Sequence, residues 1–150
     1  MPIVYQTSAV STGDGRNGHA RTDDGSLDLD LATPRQQGGP GGATNPEQLF
    51  AAGYAGCFHS ALKATARGEG LTLTDSTVTV SVGLIKEATG FSLDVGITAD
   101  LPGVDRDKGL ELLAQAHQRC PYSKATRGNI DVRLDLAEPG ATSSAVQART

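Results

Sequence analysis

Residues 44–67 carry one long helical signal closed by Gly68, and the face that must be buried is built largely of small side chains. Phe50, Gly53, Tyr54, Cys57, Ala61 and Ala64 recur at helical spacing, which places them on one stripe. Ala51, Ala52, Ala55 and Gly56 thin the helix around that stripe, so another backbone can approach closely. A helix of this make-up is predicted to be buried within the fold. Thr44 is a candidate cap, with Glu47 three residues on to reach back and Pro46 tolerated in the first turn.

The remaining elements arrange themselves around this helix. Residues 4–10 alternate weakly as a strand, and residues 27–31 alternate strictly, Leu-Asp-Leu-Asp-Leu. Between them lie a glycine-rich turn at 13–18 and a second turn at 23–25. Residues 36–43 are too dense in Gly and Pro for regular structure. Strands are predicted over 77–85 and 91–101 about a turn at 88–90. A second helix over 105–119 must end at Cys120 because Pro121 cannot continue it. Residues 122–128 read as a connector, and 130–136 as a last strand. The order β-β-α-β-β-α-β predicts an α+β domain in which antiparallel sheet packs on two long helices. Residues 1–138 form that single domain, and residues 139–150 read as a flexible tail.

A net charge of −4 gives no electrostatic reason to expect nucleic acid or an anionic membrane as partner. No apolar run approaches bilayer length, and the N-terminus lacks the charged and apolar regions of a signal peptide. A cytoplasmic location is the expectation. In that setting a structural disulfide is rare, and paired thiols serve redox chemistry or bind metals.

The chain has two cysteines, and each ends up on a helical stripe: Cys57 on the first helix, Cys120 beyond Leu110, Leu113, Ala114 and His117 of the second. Both thiols are expected to point inward, where the two helices can bring them together. Two readings compete. Buried cysteines often act as small hydrophobes, whereas two thiols that meet can act as nucleophile and partner. A zinc site from Cys57, His59, His117 and Cys120 has the right ligand types. Yet Cys57 and His59 lie about 200° apart around a helix and do not converge easily. His59 reads instead as a solvent- or interface-facing residue and His117 as a packed core histidine. A nucleophilic thiolate needs a nearby positive charge that is never lost, which makes arginine the natural activator. Arg16, in its glycine-flanked turn, is one candidate; Arg21, Arg35, Arg119 and Arg127 compete with it, and spacing does not rank them.

These segments together resemble the Ohr branch of the Ohr/OsmC family, thiol peroxidases acting on organic hydroperoxides. The resemblance rests on Gly15-Arg16-Asn17-Gly18, Thr33-Pro34, Gly38-Gly39-Pro40-Gly41-Gly42 and the run from Thr44 through Tyr54. Cys57-Phe58, Ala61-Leu62-Lys63, Ala116-His117, Cys120-Pro121-Tyr122-Ser123 and the run from Ala125 through Val132 complete it. It covers nearly all of the chain up to about Leu136.

The resemblance implies an intertwined homodimer with active sites at the subunit interface. Cys57 falls at the peroxide-attacking position, Cys120 at the resolving one, Arg16 at the activating arginine and Glu47 at the glutamate that holds it. It also implies a Cys57–Cys120 disulfide recycled by an external dithiol, dihydrolipoamide of lipoylated proteins, with no bound cofactor and no metal. His59 stands where an apolar residue is expected. The neighbouring OsmC branch shares the cysteines, so a broader substrate range is an alternative, as is a redox sensor that oxidises once without turnover. Ten residues, about 15 Å of helix, separate Glu47 from Cys57. That distance predicts a Glu47 that serves the Arg16–Cys57 pair of the other subunit.

Overall fold

The computed structural model describes residues 1–138, so the expected tail at 139–150 lies outside the described residues. The chain divides into two compact units, Met1–Leu49 and the portion from Phe50 onward.

In the first unit, β1 (Ala9–Thr12), β2 (His19–Thr22) and β3 (Asp28–Asp30) form an antiparallel meander in that order. The expected strand at 4–10 is shifted: pairing begins only at Ala9↔Thr22, and Ile3, Val4 and Tyr5 are left exposed and outside any strand. The turn before β2 is tightened into a 3₁₀ turn, Gly15–Asn17. Leu31 bridges in parallel to Thr44, which closes the glycine-rich segment between them into a loop.

Helix α1 spans Pro46–Gly68. Its cap is not the expected Thr44–Glu47 pair. Asn45 Oδ1 accepts from the Gln48 amide at 2.9 Å, and Gln48 Oε1 accepts from the Asn45 amide at 3.2 Å. This is the same reciprocal capping logic moved by one residue. Pro46 stands at the first helical position, where its missing N–H costs nothing. The shift releases the Glu47 carboxylate from capping.

In the second unit, β4 (Thr77–Glu87) and β5 (Gly90–Asp100) form a long antiparallel hairpin in register from Thr77↔Asp100 to Glu87↔Gly90. Gly90 turns the chain at φ +137°, a conformation that side chains other than glycine resist. Helix α2 (Arg106–Arg119) then stops at Cys120, as Pro121 dictates. The expected connector is instead a short helix, α3 (Pro121–Thr126), with Pro121 at its first position.

Strand β6 is only Arg133–Leu136, because the amides of Asn129 and Ile130 are used on the Thr126 carbonyl to close α3. β6 runs parallel to β5, so this sheet is mixed where a purely antiparallel one was expected. Arg133 fixes the pairing through a two-bond contact with Asp94, at 2.6 and 2.9 Å.

The core of the second unit draws Tyr54, Phe58, Leu62 and Ala66 from α1, Val95, Ile97 and Ala99 from β5, and Leu112, Leu113 and Ala116 from α2. The buried stripe of α1 is therefore centred on Tyr54, Phe58 and Leu62, rotated from the expected line so that Cys57 sits at its margin, half-buried. On α2, Leu110, expected inside, is exposed, and Gly109 and Leu112 take the inner face. Each large apolar side chain so buried contributes about 1.5–3 kcal/mol. Among the described residues no helix is long and apolar enough to cross a membrane.

Candidate functional site

The two cysteines are brought together. Cys57 projects from the middle of α1, three residues after the fully buried Tyr54. Cys120 is the single extended residue between α2 and α3, fully buried, at φ −62° and ψ 125°. Its amide donates to the Ala116 carbonyl at 2.9 Å and its carbonyl accepts from the Lys124 amide at 3.0 Å. One residue thus closes one helix and opens the next. Both thiols are free, and the Cys57 thiol lies against the Cys120 side chain.

Burial raises the Cys57 thiol above the ordinary range, and the adjoining Cys120 raises it further. The backbone N–H of Tyr122 works in the opposite sense by stabilising the thiolate. Pro121 has no N–H to give, so Tyr122 supplies the next amide of α3 after the proline. The sequence reading missed this contribution, although a proline directly after Cys120 is itself a signal for a helix start.

The ring of Tyr122 lies close to Tyr54, with centroids 5.4 Å apart, and edge-on to Phe50 at 6.3 Å. It can do so because Gly53 lies beneath it: a Cβ there would stand 2.5 Å from the Tyr122 hydroxyl. Phe50, Gly53, Tyr54 and Tyr122 make an aromatic wall beside Cys57 on α1.

Arg16 and Glu47 are also brought together, in the first unit. Arg16 Nη2 donates to Glu47 Oε1 at 2.6 Å and Nη1 to Oε2 at 3.0 Å, a two-bond fork. The guanidinium holds the Glu47 carboxyl below the usual carboxylate range, and Glu47 in turn raises Arg16. Asn17 braces the 3₁₀ turn that presents Arg16, bonding Thr33 through side chain and backbone at 3.0 and 2.9 Å.

This pairing lies within one chain, which corrects the expectation that Glu47 would reach an arginine of another subunit. Three of the four rival arginines are occupied elsewhere: Arg21 with Asp28, Arg35 with the Pro40 carbonyl and Arg127 with the His117 carbonyl.

The histidines do not gather at a metal. His59, half-buried rather than solvent-facing, bonds Ser76 Oγ at 2.9 Å, and His117 bonds Ser123 Oγ at 2.8 Å. Among the described residues no group of three or more His, Cys, Asp or Glu is placed to hold a metal ion.

Known proteins resemble the chain over most of its length. The family of OsmC-like proteins matches residues 39–135. The organic hydroperoxide resistance protein of Xanthomonas axonopodis pv. citri is 49% identical over 137 residues, covering 90% of this chain and 96% of that protein. The organic hydroperoxide resistance protein OhrB of Bacillus subtilis is 45% identical over 132 residues, 87% of this chain and 96% of its own length. Among solved structures, an organic hydroperoxide resistance protein of Legionella pneumophila superposes with a TM-score of 0.86 at 48% identity, covering 91% of this chain and 100% of that one.

Proposed function

The chain belongs to the OsmC-like family, beside organic hydroperoxide resistance proteins, and on that premise we propose that it is a thiol peroxidase for organic hydroperoxides. The apposition of Cys57 and Cys120 as free thiols carries this reading. Cys57 thiolate attacks the terminal oxygen of ROOH, the O–O bond breaks, and the alkoxide leaves as ROH after taking a proton. Cys57 becomes a sulfenic acid. Cys120 attacks its sulfur, water departs, and a Cys57–Cys120 disulfide forms. A dithiol then reduces that disulfide by exchange, and dihydrolipoamide carried by lipoylated proteins is the reductant we assign. The sum consumes one hydroperoxide and one dithiol and yields alcohol, water and a cyclic disulfide. No bound cofactor or metal is needed.

Burial and Cys120 raise the Cys57 thiol against the pull of the Tyr122 amide, so a cation that favours the thiolate is assigned to turnover. Arg16, steadied by Glu47, is assigned that role, together with donation to the oxygen that gains charge as the peroxide bond breaks. We place the complete site in a homodimer. The exposed apolar residues Ile3, Val4, Tyr5 and Val10 near β1, and Phe91 on the hairpin, support an assembly that covers them. The aromatic wall beside Cys57 supports alkyl or fatty-acyl substrates over hydrogen peroxide. A cycle recycled by free dithiol belongs in a reducing compartment, the cytoplasm.

The test is peroxide consumption with dihydrolipoamide as reductant, comparing cumene hydroperoxide with hydrogen peroxide. Multiple turnover favouring cumene hydroperoxide is expected. A single stoichiometric oxidation, with no turnover on any dithiol, would make the protein a sensor and refute the enzymatic reading.

A further inference from the structure

Ser123 is fully buried among the three helices that build the thiol site. Its hydroxyl meets two partners at once: Tyr54 Oη at 2.8 Å and His117 Nδ1 at 2.8 Å. Tyr54 stands on α1 three residues before Cys57, and His117 on α2 three residues before Cys120. Ser123 itself follows Cys120 by three residues on α3.

A serine hydroxyl donates one hydrogen and still accepts, so both contacts form together. Thr126 Oγ1 uses its hydrogen on the Ser123 carbonyl at 3.1 Å and is left to accept from Tyr54 Oη, 3.4 Å away. Arg127 donates to the His117 carbonyl at 2.6 Å, fastening the last turn of α2 from the end of α3. Among the described residues no buried side-chain polar atom lacks a partner, so the cluster is closed.

Packing alone lets helices slide by fractions of a turn, whereas these bonds are directional and fix one register. We propose that Ser123 is a positioning residue for the Cys57–Cys120 disulfide. By tying Tyr54 and His117 to one hydroxyl, it holds the two thiol-bearing helices where the sulfurs can bond. This deepens the peroxidase reading by assigning control of its resolving step, but it concerns the meeting of the thiols and can be measured without peroxide.

The experiment equilibrates the full chain in mixtures of oxidised and reduced dithiothreitol. The two protein thiols give two electrons and two protons to the cyclic disulfide of the reagent, which becomes its dithiol. Ser123→Ala is expected to lower the equilibrium constant for the protein disulfide about tenfold, since two hydrogen bonds are lost. For this two-electron couple that is a rise in potential of about 30 mV.

Tyr54→Phe, which removes one arm and keeps the ring, is expected to lower it about threefold. Val95→Ala, a cavity in the same core at a side chain that takes no part in these hydrogen bonds, lowers the melting temperature and leaves the potential unchanged. Should Ser123→Ala fail to fold, Tyr54→Phe decides alone. Unchanged potentials in the hydroxyl variants, an equal shift in Val95→Ala, or no Cys57–Cys120 disulfide in the unsubstituted protein would each overturn the proposal. Because peroxide takes no part, failure of the peroxidase reading leaves this result intact.

Discussion

The charged pair and the thiol pair are built from opposite materials. Arg16 and Glu47 meet through two hydrogen-bonded contacts presented by a 3₁₀ turn and the first turn of α1, with Arg16 nearly half exposed. Cys57 and Cys120 meet inside packed helices, surrounded by aromatic and aliphatic side chains, with one backbone amide as their polar support. The first arrangement is sensitive to salt and to geometry, because exposed ion pairs are screened. The second is sensitive to packing. On the proposed mechanism, the charge control can be lost while the thiols stay apposed.

Substitutions break that comparison at either end. The largest effect is expected from Cys57→Ser, which brings hydroperoxide turnover to background. Cys120→Ser permits one turnover and then overoxidation of Cys57, read by mass spectrometry as added oxygen. Steady-state activity in either variant would remove the role assigned to it. Arg16→Lys keeps the charge and loses the fork, so kcat/KM should fall by about 10²-fold, the scale of a misplaced catalytic group. The Cys57–Cys120 disulfide should still form normally in that variant, which separates the two halves directly. Asn45→Ala is expected to cost about 1 kcal/mol in denaturant unfolding, and Thr44→Ala far less, because Asn45 makes the cap.

The smallest effect sharpens the contrast through pH. His19 bonds Asp30 and Asp28, and these carboxylates raise it. Its contribution is fully present below the unfolded histidine value of about 6.5 and is lost as pH rises through the higher folded value. His59 and His117 are lowered, by burial first and then by Lys63 and Arg127 respectively. Their contribution is present above about 6.5 and is lost as pH falls through their lower folded values. Between about pH 8 and 5, hydrogen-exchange protection factors should therefore rise at β2–β3 and fall around His59 and His117. Parallel changes in both regions would contradict the assignment.

Much of this was legible in the chain. The alternation at 27–31, the strand pair about the turn at 88–90, and the stop before Pro121 predicted elements that the structure contains. The helical stripes allowed Cys57 and Cys120 to meet, although the buried line on α1 is rotated and Leu110 faces outward. What escaped had particular causes. The cap moved to Asn45 because Asn45 and Gln48 satisfy the same geometry as Thr44 and Glu47, and spacing cannot choose between them. The direction of β6 depends on where two helices return the chain, which no local pattern records. Ser123 stayed unremarked because its partners lie 69 and 6 residues away in sequence.

The parallel return of β6 has a mechanical consequence. β5 leads into α2, α3 leads toward β6, and β6 hydrogen-bonds back onto the strand from which the excursion departed. Cys120 therefore rides at the bend of a crossover pinned to one strand at both ends, with Arg133 and Asp94 as a latch near its closure. Such a segment can pivot at its bend but cannot swing away without peeling an edge from the sheet. Any displacement of Cys120 is thereby limited to what this bend and the Ser123–His117 bond across it allow, and the sheet serves as its frame.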